Sequence, residues 1–161
     1  MALRVDGRVA ALMHRVGSSK RFLRIAPKLM PGIDRTVSRL TRGRVVPSDL
    51  LVPTLILTHT GAKTGLPRVT PLATLADEGV FYVTGSNYGG EHHPAWSGNL
   101  IKTPEASVTF RRSTMPVKAH LLSEEEKAAI WPKLLTVWPI YDTYVERSGR
   151  SLRVFRLDPQ E

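Results

Sequence analysis

A glycine-bounded turn behind an apolar strand constrains the fold of this chain most. The apolar residues Leu55-Ile56-Leu57 run through Thr58-His59-Thr60 into Gly61-Ala62-Lys63-Thr64-Gly65, and a second extended segment begins near Arg68. This pattern predicts two antiparallel strands joined by a short loop. It is not a phosphate-binding P-loop, because Ile56 stands where the first glycine of that motif would be, and β-branched residues follow instead of a helix.

The same turn has the composition of an anion site. Its two glycines allow the backbone to bend so that amide N–H groups converge. Lys63 and Arg68 add positive charge, and Thr64 adds a hydroxyl donor. The turn therefore predicts a negatively charged and phosphorylated ligand. Taken alone, it is equally compatible with an ordinary hairpin turn that carries a solvated lysine.

The remaining pattern predicts an α+β fold. We expect strands at 54–60, 67–76, 80–86, 106–112, 115–122 and 151–157, and helices at 2–17, 21–28, 32–42 and 94–102. Ser123 and Glu126 form a predicted capping box for a helix that ends near Trp131, with new starts at Pro132 and Pro139. The strands suggest a closed or half-closed antiparallel barrel at 47–161, preceded by a basic helical segment at 1–46 within one domain. The pattern alone does not distinguish this barrel from another α+β sheet.

All of the net charge belongs to that N-terminal segment. Residues 1–46 hold 11 Lys and Arg but only two Asp, whereas the rest of the chain is neutral overall. A basic amphipathic helix predicts contact with an anionic membrane surface, and a packing helix with a solvated basic face is an equally strong interpretation. A nucleic-acid partner is not expected, because no base-stacking aromatic residues are interleaved with the charges.

Composition narrows the function classes. The chain has no cysteine, which removes disulfides and thiolate metal sites, and the adjacent His92 and His93 would point in opposite directions, so no metal site is expected. No apolar run is long enough for a transmembrane helix, and the N-terminus lacks a signal-peptide pattern. We expect a cytoplasmic protein that could lie peripherally on the inner membrane face.

Several motifs in order resemble the deazaflavin-dependent nitroreductase family, whose members use coenzyme F420. The resemblance runs from about Ile33 to the C-terminus. It rests on Leu57–Gly65, Pro67–Leu72, Gly85–Gly90, His93–Trp96, Asn99-Leu100, Thr103–Val108, Trp131-Pro132 and Trp138–Tyr144. The resemblance implies a split β-barrel of the type shared with FMN-binding proteins. It also implies hydride transfer from reduced F420 to a quinone, a nitro compound or a similar electron-poor acceptor.

The resemblance also implies the site residues. For the cofactor these are Ala62, Lys63, Thr64, Arg68, Val69, Thr70, Pro71, Leu72, Ala73, Thr84, Gly85, Ser86, Asn87, Ala95, Trp96, Ser97, Gly98 and Asn99. Lys63, Thr64 and Arg68 are assigned to the anionic tail. A tryptophan such as Trp96 more often packs in the core than stacks on a cofactor ring.

Three aromatic residues near the C-terminus, Trp138, Tyr141 and Tyr144, are expected to line the acceptor pocket. Tyr141 and Ser86 are the candidates for donating a proton to the acceptor. Ala62 and Trp138 depart from the residues common in the family, which bears on tail affinity and on the acceptor. Two alternatives remain: an FMN-dependent split-barrel oxidoreductase, and a non-enzymatic membrane-surface or ligand-carrier protein.

Overall fold

The computed structural model describes residues 15, 19–41 and 52–161. Six strands form its centre: β1 (Thr54–Thr60), β2 (Pro67–Asp77), β3 (Val80–Gly85), β4 (Glu105–Phe110), β5 (Ser113–Leu121) and β6 (Arg153–Pro159). All neighbouring strands pair antiparallel in the order β1-β2-β3-β6-β5-β4, and β4 pairs back to β1. This closed barrel confirms the predicted α+β barrel fold.

Side-chain alternation fills the barrel. Leu55 and Leu57 of β1 are fully buried inside it, and Leu55 pairs in register with Leu72 of β2. The other inward core residues are Phe81, Val83, Val108, Val117, Phe155 and Leu157. Removing this much apolar surface from water is the main stabilising contribution that the strands make to the fold.

Helix α2 (Ala95–Lys102) closes one end of the barrel. Trp96 and Leu100 belong to the same buried cluster as the inward strand residues, and the Trp96 ring lies 5.7 Å from that of Phe155. Because all pairing is antiparallel, β1 and β3 end at this side while β2 and β6 begin there. We call it the α2 end of the barrel.

A second core lies outside the barrel. Helices α3 (Glu124–Val137) and α4 (Tyr141–Ser148) contribute Leu134, Tyr141 and Tyr144 to it, against Val154 of β6. Tyr82 and Leu75 from the outer faces of β3 and β2 pack against the same cluster. The outer face of β3 is therefore covered, whereas the strand ends and the connecting loops at the α2 end carry the polar residues described below.

Two predicted helix breaks are wrong. The expected helices at 21–28 and 32–42 are one helix, α1 (Lys20–Leu40), which continues through Pro27 and Pro31. Likewise, α3 continues through Pro132. A proline inside a helix removes one hydrogen bond and costs about 3 kcal/mol, so packing must offset that cost. The buried Leu134 supplies such packing in α3, and contacts with β2 and the 87–89 turn supply it in α1.

Of two further local predictions, one is confirmed and the other lies almost entirely outside the described residues. The capping box is confirmed: the Ser123 hydroxyl accepts from the Glu126 amide at 3.2 Å, and the Glu126 carboxylate accepts from the Ser123 amide at 2.8 Å. The predicted helix at 2–17 falls outside the described residues apart from Arg15. Within the described part, no helix is long and apolar enough to cross a membrane.

Replacing the cap should destabilise the fold without touching the barrel. Ser123→Ala removes the acceptor for the Glu126 amide, so the free energy of unfolding should fall by about 1 kcal/mol. Chemical denaturation measures this change. Ser123→Asp, which keeps an acceptor at the same position, should unfold close to the wild-type midpoint, and equal destabilisation by both variants would contradict a capping role.

Candidate cofactor and acceptor site

The turn between β1 and β2 uses its own amide groups internally. The Thr64 and Gly65 amides both donate to the Gly61 carbonyl, at 3.2 and 2.8 Å, and the Gly61 amide donates to the Leu66 carbonyl at 2.9 Å. The Ala62 amide is taken by the Asn99 side chain. The expectation that several amides converge outward on an anion is therefore wrong, because the turn is closed by its own hydrogen bonds. Its anion-binding capacity comes from side chains.

Those side chains are Lys63, Thr64 and Arg68, which are all exposed. The Thr64 hydroxyl accepts from the Arg68 guanidinium at 3.4 Å and from the Leu66 amide at 3.3 Å. No carboxylate of the described residues lies within salt-bridge distance of Lys63 or Arg68. Two neighbouring cations without a protein counter-ion suit a ligand that carries several negative charges. This donor set fits the phosphate and carboxylates of the F420 tail.

Glycine is required at position 61 by close packing. A Cβ atom there would lie 2.9 Å from the Thr64 hydroxyl oxygen and 3.2 Å from both the Arg68 Nε and the Leu66 carbonyl oxygen. The turn therefore folds tightly over its first residue. As a result, Thr64 and Arg68 are brought together on one side of the turn, four positions apart in the chain.

A polar relay joins the turn to α2. Asn99 accepts from the Ala62 amide at 2.9 Å through Oδ1, and its Nδ2 lies 3.2 Å from Nδ1 of His59. His59 is 4% exposed, and its Nε2 lies 3.1 Å from the Thr70 hydroxyl. The Lys102 ammonium donates to the Ala62 carbonyl at 2.9 Å. The N–H and C=O groups of Ala62, the residue before Lys63, are therefore both hydrogen-bonded by side chains of α2.

The β2 residues assigned to the cofactor lie on both faces of the strand. Arg68, Thr70 and Leu72 pair in register with the buried His59, Leu57 and Leu55, so they share the inner face. Val69, Pro71 and Ala73 alternate with them and lie on the outer face. A ligand along β2 would therefore contact side chains of only one set, together with backbone.

The loop from Gly85 to His93 is held by Arg150. Its guanidinium donates to the carbonyls of Gly90, Gly85 and Ser86 at 3.0, 3.2 and 2.8 Å, and it lies 3.0 Å from Nδ1 of His93. Burial lowers the pKa of His93, and Arg153 and Arg150 lower it further, so this imidazole stays neutral and accepts from Arg150. One side chain thus fixes the loop that carries Ser86.

The backbone of this loop is unusual. Asn87, Tyr88 and Gly89 all have positive φ angles, of 46°, 52° and 73°. Tyrosine rarely adopts this conformation, and such strain concentrates at functional sites. At position 89 only glycine fits, because a Cβ atom would lie 2.9 Å from Cδ1 of Tyr144. The loop is therefore pressed against α4.

The predicted acceptor-pocket residues meet behind that loop. Tyr141 and Tyr144 are 4% and 1% exposed, and Trp138 packs against the same cluster. Burial raises the pKa of Tyr141 above its ordinary value and that of Tyr144 to about 12, so both phenols keep their protons at neutral pH. Within the described part, the buried hydroxyls of Thr84 and Tyr144 have no partner at hydrogen-bonding geometry, although the side chains of Tyr141 and Trp138 lie near them. Buried hydroxyls without a partner are unusual in a pure core.

The α2 residues have two different environments. Trp96 and Ser97 are buried; the Ser97 hydroxyl donates to the Pro94 carbonyl at 2.8 Å and accepts from Arg153 at 3.2 Å. Ala95 and Gly98 are exposed. The Trp96 ring is therefore placed as a core anchor, whereas the exposed pair can face a ligand.

Sequence reasoning missed His59, Arg150, Arg153 and the strained Tyr88. His59 could have been found, because it continues the inward positions of Leu55 and Leu57 as a polar residue. Arg150 and Arg153 gave no such signal, since their partners lie more than 50 residues away in the chain. No group of His, Cys, Asp and Glu among the described residues is arranged to hold a metal ion.

Two known proteins that are similar in sequence to this chain carry the same type of name. Rv3178 of Mycobacterium tuberculosis, named as an F420H(2)-dependent quinone reductase, is 30% identical over 109 residues, covering 68% of this chain and 92% of that protein. Rv1261c of the same organism, with the same type of name, is 31% identical over 84 residues, which is 49% of this chain and about half, 54%, of that relative.

A solved structure and a family model agree with these relatives. The structure of an F420-H2 dependent reductase, FDR-A, matches with a TM-score of 0.62 and 30% identity, covering 66% of this chain and 94% of that chain. Its likeness confirms the predicted split-barrel fold. The model of the F420H(2)-dependent quinone reductase family matches residues 33–159. That match confirms the predicted oxidoreductase class and the cofactor F420: the chain belongs to the F420H(2)-dependent quinone reductase family.

Proposed function

We propose that this chain transfers hydride from reduced F420 to a quinone, with nitro compounds as further electron-poor acceptors. The observation that carries the proposal is the placement of Lys63 and Arg68. They stand exposed and without carboxylate partners among the described residues, at the same end of the barrel as the Ser86 loop. When bound, F420 supplies the hydride. The residues of the chain supply binding, orientation and proton donors.

The tail of the cofactor would lie at the turn. Lys63 and Arg68 would contact its phosphate and carboxylates. The Thr64 hydroxyl accepts both of its hydrogen bonds within the turn, so its O–H would donate a hydrogen bond to the tail. Ala62 contributes only backbone, which is already engaged on both sides.

The ring of the cofactor would extend from the turn along β2. We assign Val69, Thr70, Pro71 and Leu72 to backbone contacts on one side, and Ala73 lines the same side. The opposite wall would be Thr84, Gly85, Ser86 and Asn87, and Ala95 to Asn99 would close over the ring. The hold of Arg150 on the carbonyls of Gly85 and Ser86 supports a rigid wall, which is what orienting a planar ring requires.

The acceptor would lie against Tyr141, Tyr144 and Trp138. Hydride arrival leaves negative charge on an acceptor oxygen, and a neutral hydroxyl nearby stabilises this charge and supplies the proton. Burial keeps Tyr141 protonated across the physiological range, and Ser86 lies two residues beyond Thr84, whose side chain lies near the Tyr141 phenol. These two groups are our candidates for that role.

Direct tests separate this proposal from its rivals. Purified protein is titrated with F420 and then assayed for reduction of menadione with F420H2. Saturable F420 binding with turnover is expected. A protein that is yellow as purified and shows no saturable binding of F420 would instead indicate an FMN enzyme. Binding of F420 without reduction of any acceptor would indicate a carrier.

Removing either cation of the turn should weaken cofactor binding. Each charge-assisted contact contributes about 1.5–3 kcal/mol, so Lys63→Ala and Arg68→Ala should raise the Kd for F420 by roughly ten- to a hundred-fold. The difference should shrink as salt is added. Isothermal titration calorimetry measures it. Lys118→Ala, an exposed cation of β5, is the control, and affinities equal to that control would disprove the assignment.

Removing the Tyr141 hydroxyl should affect turnover more than cofactor binding. Tyr141→Phe keeps the buried ring, so F420 affinity should stay within about twofold of wild type, whereas kcat with menadione should fall by ten-fold or more. Ser86→Ala should act in the same direction. If both variants, and the pair combined, turn over at the wild-type rate, the proton comes from water and these roles are wrong.

The outer face of α1 supports the proposed membrane contact. Ile25, Leu29 and Ile33 recur every four residues and are 49%, 55% and 47% exposed. Asp34, which lies on the opposite side of the helix by its spacing, is buried, so the apolar stripe faces away from the barrel. The exposed cations Arg21, Lys28, Arg35 and Arg39 follow one edge of the stripe. An anionic lipid surface complements both features.

Surface substitutions on α1 test this contact without cutting a helix that packs on the barrel. Each cation near anionic lipid contributes about 1 kcal/mol, or about fivefold in affinity. Lys28→Glu and Leu29→Ser should therefore release the full-length protein from phosphatidylglycerol vesicles in sedimentation assays. Lys118→Glu and Leu121→Ser on β5 are matched controls. Wild-type protein that ignores such vesicles at low salt would refute the contact.

A further inference from the structure

His59 is the buried polar residue at the α2 end whose role remains unassigned. It lies between β2 and α2, with Nε2 3.1 Å from the Thr70 hydroxyl and Nδ1 3.2 Å from Nδ2 of Asn99. A histidine that merely fills space needs no defined partner on both nitrogens. Here each nitrogen lies within hydrogen-bond distance of one side-chain polar atom, and one of those atoms belongs to the residue that holds the turn.

Donor and acceptor rules fix the protonation state in this arrangement. The Ala62 N–H can only donate, so the atom of Asn99 that faces it at 2.9 Å is Oδ1. The amide nitrogen of Asn99 therefore faces His59 and donates to it. Nδ1 of His59 must then be an unprotonated acceptor, and its proton lies on Nε2, which donates to Thr70.

We propose that neutral His59 is a positioning residue for binding of the cofactor tail: it orients Asn99, which holds the Ala62 amide and thereby places Lys63. The Lys102 ammonium holds the other side of the same residue through the Ala62 carbonyl. The inference rests on the proposed role of Lys63 in tail binding. It adds the requirement that an imidazole beneath the turn stays uncharged.

Protonation of His59 would break the relay. A proton on Nδ1 would face the Asn99 amide nitrogen, which also carries protons, and rotating Asn99 would set that nitrogen against the Ala62 N–H instead. The turn would then lose one of its two ties to α2.

The surroundings of His59 favour the neutral form. Burial lowers the pKa of His59; a backbone hydrogen bond with Thr60 opposes this effect, and the Arg68 charge from β2 adds to it. From α2 the nearest charged group of the relay is Lys102, also a cation, and β4 pairs with β1 through the uncharged Ser107 and Val108. Lys63 adds a third cation on the turn itself.

The sign of the pH effect separates positioning from simple charge. A histidine that only added positive charge near an anion site would strengthen binding of an anion as pH falls. A positioning histidine weakens it instead, because its charged form releases Asn99. The expected loss is two- to tenfold, equivalent to about one hydrogen bond.

Three proteins are compared by calorimetry with F420 at pH values on both sides of the His59 titration, which is followed by NMR of the imidazole ring. In wild type, the affinity for F420 should fall as the pH is lowered, and the midpoint of this loss should match the midpoint of the His59 titration. His59→Asn keeps an acceptor near the Nδ1 position and cannot gain a proton there. In Asn99→Asp, the carboxylate accepts from both the Ala62 amide and a protonated His59. Both variants should lack the loss, and titration of the cofactor itself cancels in the comparison.

Hydrogen exchange of the Ala62 amide in the cofactor-free protein is the second measurement. The protection of this amide, taken as the intrinsic exchange rate at each pH divided by the measured rate, should fall as His59 is protonated in wild type, and it should not do so in His59→Asn. Identical pH profiles of exchange and affinity in all three proteins would overturn the positioning role. If F420 does not bind wild type at any pH, the proposed function fails, while the exchange measurement still decides whether the relay exists.

Discussion

Closure of the barrel by the pairing of β4 with β1 is the constraint on which the site depends. It leaves no edge free among the six described strands and forces strands that are distant in sequence to present alternate ends on one side. The turn after β1, the loop after β3 and the start of β6 therefore meet around α2. The β1-β2-β3 meander brings the cations of the turn and the Ser86 loop to this end, and closure sets β4 and the helix before it beside β1, where Asn99 and Lys102 reach the turn.

Several polar side chains at the α2 end of the barrel hold neighbouring backbone in place instead of facing solvent. Asn99 and Lys102 hold the two sides of Ala62, and Arg150 holds three carbonyls of the Ser86 loop. This division explains why the exposed Lys63 and Arg68 can remain without counter-ions among the described residues: their backbone is fixed by other residues. A site held in this way loses little conformational freedom when an anion binds.

The sequence predicted what depends on neighbouring residues. Strand alternation and turn residues gave the strands, and the Ser123–Glu126 spacing gave the cap, because both patterns act within a few positions. The family resemblance, not the pattern, identified the closed barrel. Proline rules failed at Pro31 and Pro132, where packing against distant elements outweighs the local cost. The partners of Arg150 and the inward use of the turn amides are likewise set by tertiary contacts. Family motifs identified the cofactor class, but they gave no information on which groups hold the turn.

The two cores explain how one small chain separates rigidity from binding. The barrel core, built around Leu57 and Phe155, fixes α2 through Trp96, and the outer core fixes α4 through Tyr144. The Ser86 loop lies between them: Arg150 ties it to the segment before β6, while Gly89 packs directly on Tyr144. Its three consecutive residues with positive φ persist because both attachments over-determine the backbone. Strain held in this way keeps the Ser86 loop in one conformation, which the proposed delivery of hydride and proton to a single acceptor face would require.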